Sequence, residues 1–168
     1  MAEKKILVDG ERITYTGYFD IKGIMRELNK WATEKGYDMI ETSHIESTTD
    51  QGKFADIKLE PFKKLTDYTQ SKIKIRITLD NIKDVVIQKD GKKKKLYDGT
   101  IRFLFRVMLI TDYENRWEGK PIYYFFRIIF EKYIYSPLIS KTQNQIIDDY
   151  EFLRNNIKSY LNLFKMRY

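Results

Sequence analysis

Cations spaced two residues apart are the side chains in this chain best suited to chemistry. Lys72, Lys74 and Arg76 alternate with Ile73, Ile75, Ile77 and Leu79, and a strand of period two sends the cations to one face and the aliphatic side chains to the other. Arg102 and Arg106 share one face of a second run, Ile101 to Ile110. Lys92, Lys93, Lys94 and Lys95 follow a hairpin signal at Asp90-Gly91. Such a set suits the phosphates of a nucleic acid, because each neutralised phosphate releases counterions. The Lys72 strand lacks the aromatic platform on which sheet-based RNA readers stack bases, so the expected binding is electrostatic and weakly sequence-specific. The competing role for the same lysines is to solvate an exposed face and guard a strand edge.

A second surface comes from the segment Pro121 to Tyr135, which is almost wholly apolar and aromatic. Pro121 stands where proline starts a helix well. Lys120, Tyr124, Arg127, Glu131 and Tyr135 recur at helical spacing as one wettable stripe, and the wide remaining face is expected to cover a sheet. In the alternative reading this helix is an interface, with Trp117, Tyr123, Phe126 and Phe130 meeting a partner or a membrane surface.

Catalytic patterns are missing. His44 is the only histidine. Strand alternation places it with Glu46 and opposite Glu41, which leaves too few ligands for a metal. The chain has no cysteine, no Gly-rich phosphate loop and no nucleophile elbow. Asp148-Asp149 reads as a solvated helix face. The expectation is a non-enzyme with no catalytic residue, metal or cofactor.

The elements that position these residues follow from period and turn chemistry. Residues 1–168 read as one domain, since no linker or repeat divides them. Lys5 to Val8 and Arg12 to Tyr18 flank Asp9-Gly10 as a two-stranded ribbon. Asp20 then caps a helix with Ile24, Leu28 and Trp31 on one stripe, ending at Gly36. Strand character returns at Tyr37 to Ser47 and Phe54 to Leu59, with Asp50-Gln51-Gly52 between them. Asp80-Asn81, Asp90-Gly91 and Asp98-Gly99 mark further reversals. Ile101 to Ile110 reads as a central strand covered on both faces. Ser136-Pro137 breaks the aromatic helix before a longer one from about Ser140 to Phe164, carrying Ile146, Tyr150, Leu153, Ile157, Tyr160 or Leu161, and Phe164 on one face. The fold expected is α+β: an antiparallel sheet of about five to seven strands, one helix after the N-terminal strands, and two C-terminal helices packed on the sheet. A pocket between sheet and terminal helix, as in helix-grip folds that hold apolar ligands, is a further fold-level reading.

The formal net charge of +7 permits an acidic partner, but 33% of residues are charged with both signs interspersed, which also describes a solvated surface. Only Ile6-Leu7-Val8 separates Lys5 from Asp9, too short for the core of a secretory signal. No apolar run reaches the roughly 20 residues of a spanning helix. A soluble, cytoplasmic protein without a transmembrane segment is expected.

Tyr18-Phe19-Asp20-Ile21, Trp31 with Gly36-Tyr37, Asp112-Tyr113 with Trp117, and Glu131-Lys132-Tyr133-Ile134 together resemble a family of uncharacterised archaeal proteins of similar length. The resemblance spans most of the chain and implies an intracellular protein; it carries no activity. On the residues alone, the leading expectation is a basic binding protein associated with RNA or the ribosome. The alternative is an apolar-ligand or protein-interaction domain built on the aromatic helix.

Overall fold

Alternation over residues 72–79 builds the centre of the molecule. In the computed structural model, which describes residues 3–89, 91–114, 121–130, 132–133 and 136–167, Ile73, Ile75, Ile77 and Leu79 are buried. They lie in β5 (Thr69–Lys89), which pairs along its length with β6 (Lys92–Thr111). Around this hairpin stand β1 (Glu3–Phe19), β2 (Glu41–Thr49), β3 (Gly52–Leu59) and β4 (Phe62–Lys64). The six strands form one sheet, antiparallel at every pairing, in the order β1-β6-β5-β3-β2, with β4 also beside β5. The expected α+β class with an antiparallel sheet is therefore what the chain adopts.

Three of the expected reversals are not turns. Asp9-Gly10 lies inside β1, where Gly10 adopts φ 71° and the register against β6 shifts between Asp9 and Glu11. Asp80-Asn81 lies inside β5, with Asn81 at φ 52° and a shift between Asp80 and Lys83. Asp98-Gly99 continues β6, opposite Lys83 on one side and Gly17 on the other. The left-handed conformations that favour Gly and Asn in hairpin turns also make β-bulges, where one strand carries an extra residue and twists more strongly. True reversals occur at Gly52, with Thr49 paired to Gly52, and between Lys89 and Lys92. Asp90 lies outside the described residues.

Two helices cover one sheet face. α1 (Ile21–Lys35) buries Ile24, Leu28, Trp31 and Ala32. It stops at Gly36, which takes φ 73° and lets Tyr37 N donate to Ala32 O at 2.7 Å, closing the last turn. Asp20 stands at its N-cap without a side-chain cap bond. α3 (Ser136–Arg167) begins at Ser136-Pro137, so the proline expected to break a helix opens one instead. Its Ile146, Tyr150, Leu153, Ile157 and Leu161 join the α1 residues and Ile13, Phe19, Ile57, Phe103, Phe105 and Val107 of the sheet in one core. The space a helix-grip ligand would need is filled by these side chains, with the Tyr150 and Phe105 rings edge-on at 5.5 Å. The opposite sheet face is open to water over its middle. β6 is accordingly buried on both faces only over Val107 to Ile110, not along the whole run.

The helix arrangement departs from expectation at α2 (Pro121–Phe130). Ile122, Phe125, Phe126, Ile128 and Ile129 are 59%, 61%, 55%, 50% and 41% exposed, so this part of α2 does not cover the sheet. Core demand explains the difference: α1 and α3 already supply two apolar stripes, and a sheet with one face in water needs no third.

Candidate docking surfaces

The open sheet face gathers five of the expected cations. Register sets Lys74 opposite Arg106, Thr78 opposite Arg102, and Arg76 opposite Leu104, so these side chains share one surface with Lys72. Each of the five, however, has a carboxylate. Asp56 is buried and accepts two bonds from the Arg76 guanidinium, at 2.8 Å from Nε and 3.1 Å from Nη2. Glu60 lies 3.3 Å from Lys74 and also pairs with Lys72. Arg106 donates to Asp9, its direct cross-strand neighbour, at 2.6 Å, and Arg102 pairs with Asp80. The side-chain bond from Arg76 holds the Asp56 carboxyl below its ordinary value, and the bond from Lys72 does the same for Glu60. Both acids are thus ionised at neutral pH alongside the cations, and a nucleic-acid phosphate must compete with them.

A hollow of about 250 Å³ opens on this face around Leu104, walled by Lys58, Lys74, Arg76 and Arg106 together with Asp9 and Glu60. Among the described residues no carboxylate is within ion-pair distance of Lys58. The acids were the part of this surface that the reading of the sequence missed. For Asp56 and Glu60 the signal lay along β3 and one residue past it, where Asp56, Lys58 and Glu60 alternate with Ile57 and Leu59 just as the cations of β5 do.

The lysine run lies at the far end of the β5–β6 hairpin. Lys92, Lys93, Lys94 and Lys95 are all exposed, but the ribbon does not stand clear of the protein. Leu96 is buried and Lys94 Nζ sits 5.2 Å above the Phe164 ring near the end of α3. Alternation then turns Lys93 and Lys95 away from α3. Among the described residues, none of Lys92, Lys93 and Lys95 has a carboxylate in ion-pair reach.

The aromatic surface is α2 itself. Ile122, Phe125, Phe126 and Ile129 follow the i, i+3, i+4, i+7 pattern and make one exposed apolar stripe. Tyr133 beyond it is 71% exposed, with Lys132 Nζ 5.6 Å from its ring. Of the residues expected to meet a partner, Phe126 is on this stripe. Trp117 and the side chains of Tyr123 and Phe130 lie outside the described residues, as do those of the wettable stripe of Lys120, Tyr124, Arg127, Glu131 and Tyr135.

Two smaller expectations are corrected. A register shift between Glu41 and Ser43 brings Glu41 to the side of His44, so the imidazole has Glu41 3.4 Å from Nδ1 and Glu46 2.8 Å from Nε2. Among the described residues no group of three or more His, Asp or Glu side chains is arranged to hold a metal ion. Asp149 is buried rather than solvated. Lys35 and Lys63 flank its carboxylate at 3.5 and 3.6 Å, and its backbone carbonyl accepts from Trp31 Nε1 at 2.9 Å. Tyr37 stacks on Trp31 at 4.7 Å and bonds to the buried Ser71 hydroxyl at 3.0 Å; burial pushes its phenol well above the ordinary value. This cluster ties α1 and α3 to the sheet.

No family model matches the chain, and no curated protein matches it. Among the described residues no helix is long and apolar enough to cross a membrane.

Proposed function

We propose that this chain is a non-enzymatic docking protein that engages its partner through the apolar stripe of α2. One observation carries the reading: Ile122, Phe125, Phe126 and Ile129 are 41% to 61% exposed, whereas the five expected cations of the open sheet face each pair with a carboxylate within the fold. Exposed apolar stripes of this kind mark interaction sites. A helix of ten residues is also too short to be stable alone in water, where roughly 12 to 15 residues are needed. Docking supplies the missing packing. The test is retention on a phenyl matrix, with circular dichroism as the fold control. Wild type is expected to be retained and the Phe125→Ser/Phe126→Ser variant to elute early with an unchanged spectrum; equal retention removes the reading.

A second reading, association with RNA or the ribosome, is favoured by Lys92, Lys93 and Lys95, which have no carboxylate in ion-pair reach among the described residues. Three phosphate contacts on single-stranded RNA predict a slope of log affinity on log salt of about −2. Changing the three lysines to glutamine is expected to abolish that slope. Affinity indifferent to salt, or to this triple change, sinks it.

A further inference from the structure

We propose that the partner of α2 is an anionic lipid surface, in which the helix lies at the boundary of headgroups and acyl chains without crossing it. The inference rests on the docking reading above and adds the occupant. Ten residues at 1.5 Å each give about 15 Å, half the hydrocarbon thickness, so α2 cannot span. It is instead shaped to lie in the plane, with one apolar stripe from Ile122 to Ile129 whose described side chains are all hydrocarbon.

Charge selects the surface. In the sequence, residues 120–133 carry Lys120, Arg127 and Lys132 against Glu131 alone, within a chain of net charge +7. Lys132 is exposed beside the exposed Tyr133 ring, the pairing of cation and amphipathic aromatic found at membrane interfaces. A second copy of the chain carries the same net charge of +7, and that repulsion opposes self-association. A folded protein partner asks for about 800 Å² on each side and around ten hydrogen bonds. The stripe itself offers four aliphatic or phenyl side chains and no donor or acceptor. A lipid boundary asks for neither.

Co-sedimentation with vesicles tests this, using phosphatidylcholine alone and phosphatidylcholine mixed with phosphatidylglycerol. Wild type is expected to bind the anionic vesicles at least tenfold more tightly than the neutral ones, and less tightly as salt rises. Phe125→Ser/Phe126→Ser, two changes at exposed positions, should lose at least tenfold, while Lys92→Gln/Lys93→Gln/Lys95→Gln on the distant hairpin should bind as wild type does. Equal binding to both vesicles overturns the proposal, as does a dimer in sedimentation velocity that the phenylalanine changes dissolve. Absence of vesicle binding, with the difference on the phenyl matrix intact, removes the lipid and leaves the docking reading. Loss of that difference as well removes both.

Discussion

Asp56 is nearly buried while its partner Arg76 is half-exposed, and this asymmetry decides what the pair does. A carboxylate withdrawn from water needs its two guanidinium bonds, whereas the guanidinium has water as an alternative. The pair therefore orders the sheet face more than it stabilises it, and solvent screening reduces its worth. Asp56→Asn is expected to cost about 1 kcal/mol at neutral pH. The sign with pH follows from the depressed values of Asp56 and Glu60. Their contribution is full above the unfolded carboxylate range, from about pH 5 upward, and is lost as pH falls below that range through the depressed folded values. Glu11 behaves alike: burial opposes its charge, but the bonds from Tyr150 and Arg154 outweigh it and hold its value down. Urea melts at pH 7 and pH 3 should show the gap between wild type and Asp56→Asn narrowing in acid, because protonation already removes the charge that the substitution removes. A gap of the same size at both pH values contradicts this account.

The bulges are the element whose chemistry was visible and whose role was not. Asp9-Gly10, Asp80-Asn81 and Asp98-Gly99 carry the residues that turns require, but only the neighbouring strand decides whether such a residue reverses the chain or kinks it. By contrast, the alternation of Lys72 to Leu79 and the stripe of Ile24, Leu28 and Trp31 were legible, because each depends on the period of its own element. The acidic partners of the cations depend on sheet order, and the exposure of α2 on how much apolar cover the other helices provide. Neither quantity is local. The bulge in β5 is also tightly packed: a Cβ at Gly99 would stand 2.9 Å from Asp80 O and 3.0 Å from Asn81 O, both rigid backbone atoms. Gly99→Ala is expected to destabilise by about 1–3 kcal/mol through crowding. A Cβ at Gly10 meets nothing within 4 Å, so Gly10→Ala pays only for its φ of 71°, about 1 kcal/mol. Thermal melts showing Gly99→Ala as the milder change would contradict this packing argument.

Across the whole molecule, stability is concentrated where both neighbours of a strand are present. β5 and β6 are each flanked on both sides, and Ile75, Ile77, Phe103 and Phe105 are almost fully buried. Their amides are expected to exchange with solvent only through global unfolding, whereas those of α2, which lacks packing on its described stripe, exchange fastest and gain protection when vesicles are added. Exchange of α2 at the rate of β5 would contradict that division. β5 and β6 are 21 and 20 residues long, against a usual five or six, and are joined at a tight reversal. That length sets an order of assembly. The ribbon grows outward from Lys89 and Lys92 by adding neighbours in sequence, so each new rung closes almost no additional loop. Every rung of β1 on β6, from Phe19 opposite Tyr97 to Glu3 opposite Thr111, joins distant parts of the chain. Contact order then makes the hairpin the expected early template and the arrival of β1, with α3 closing over it, the expected slow step.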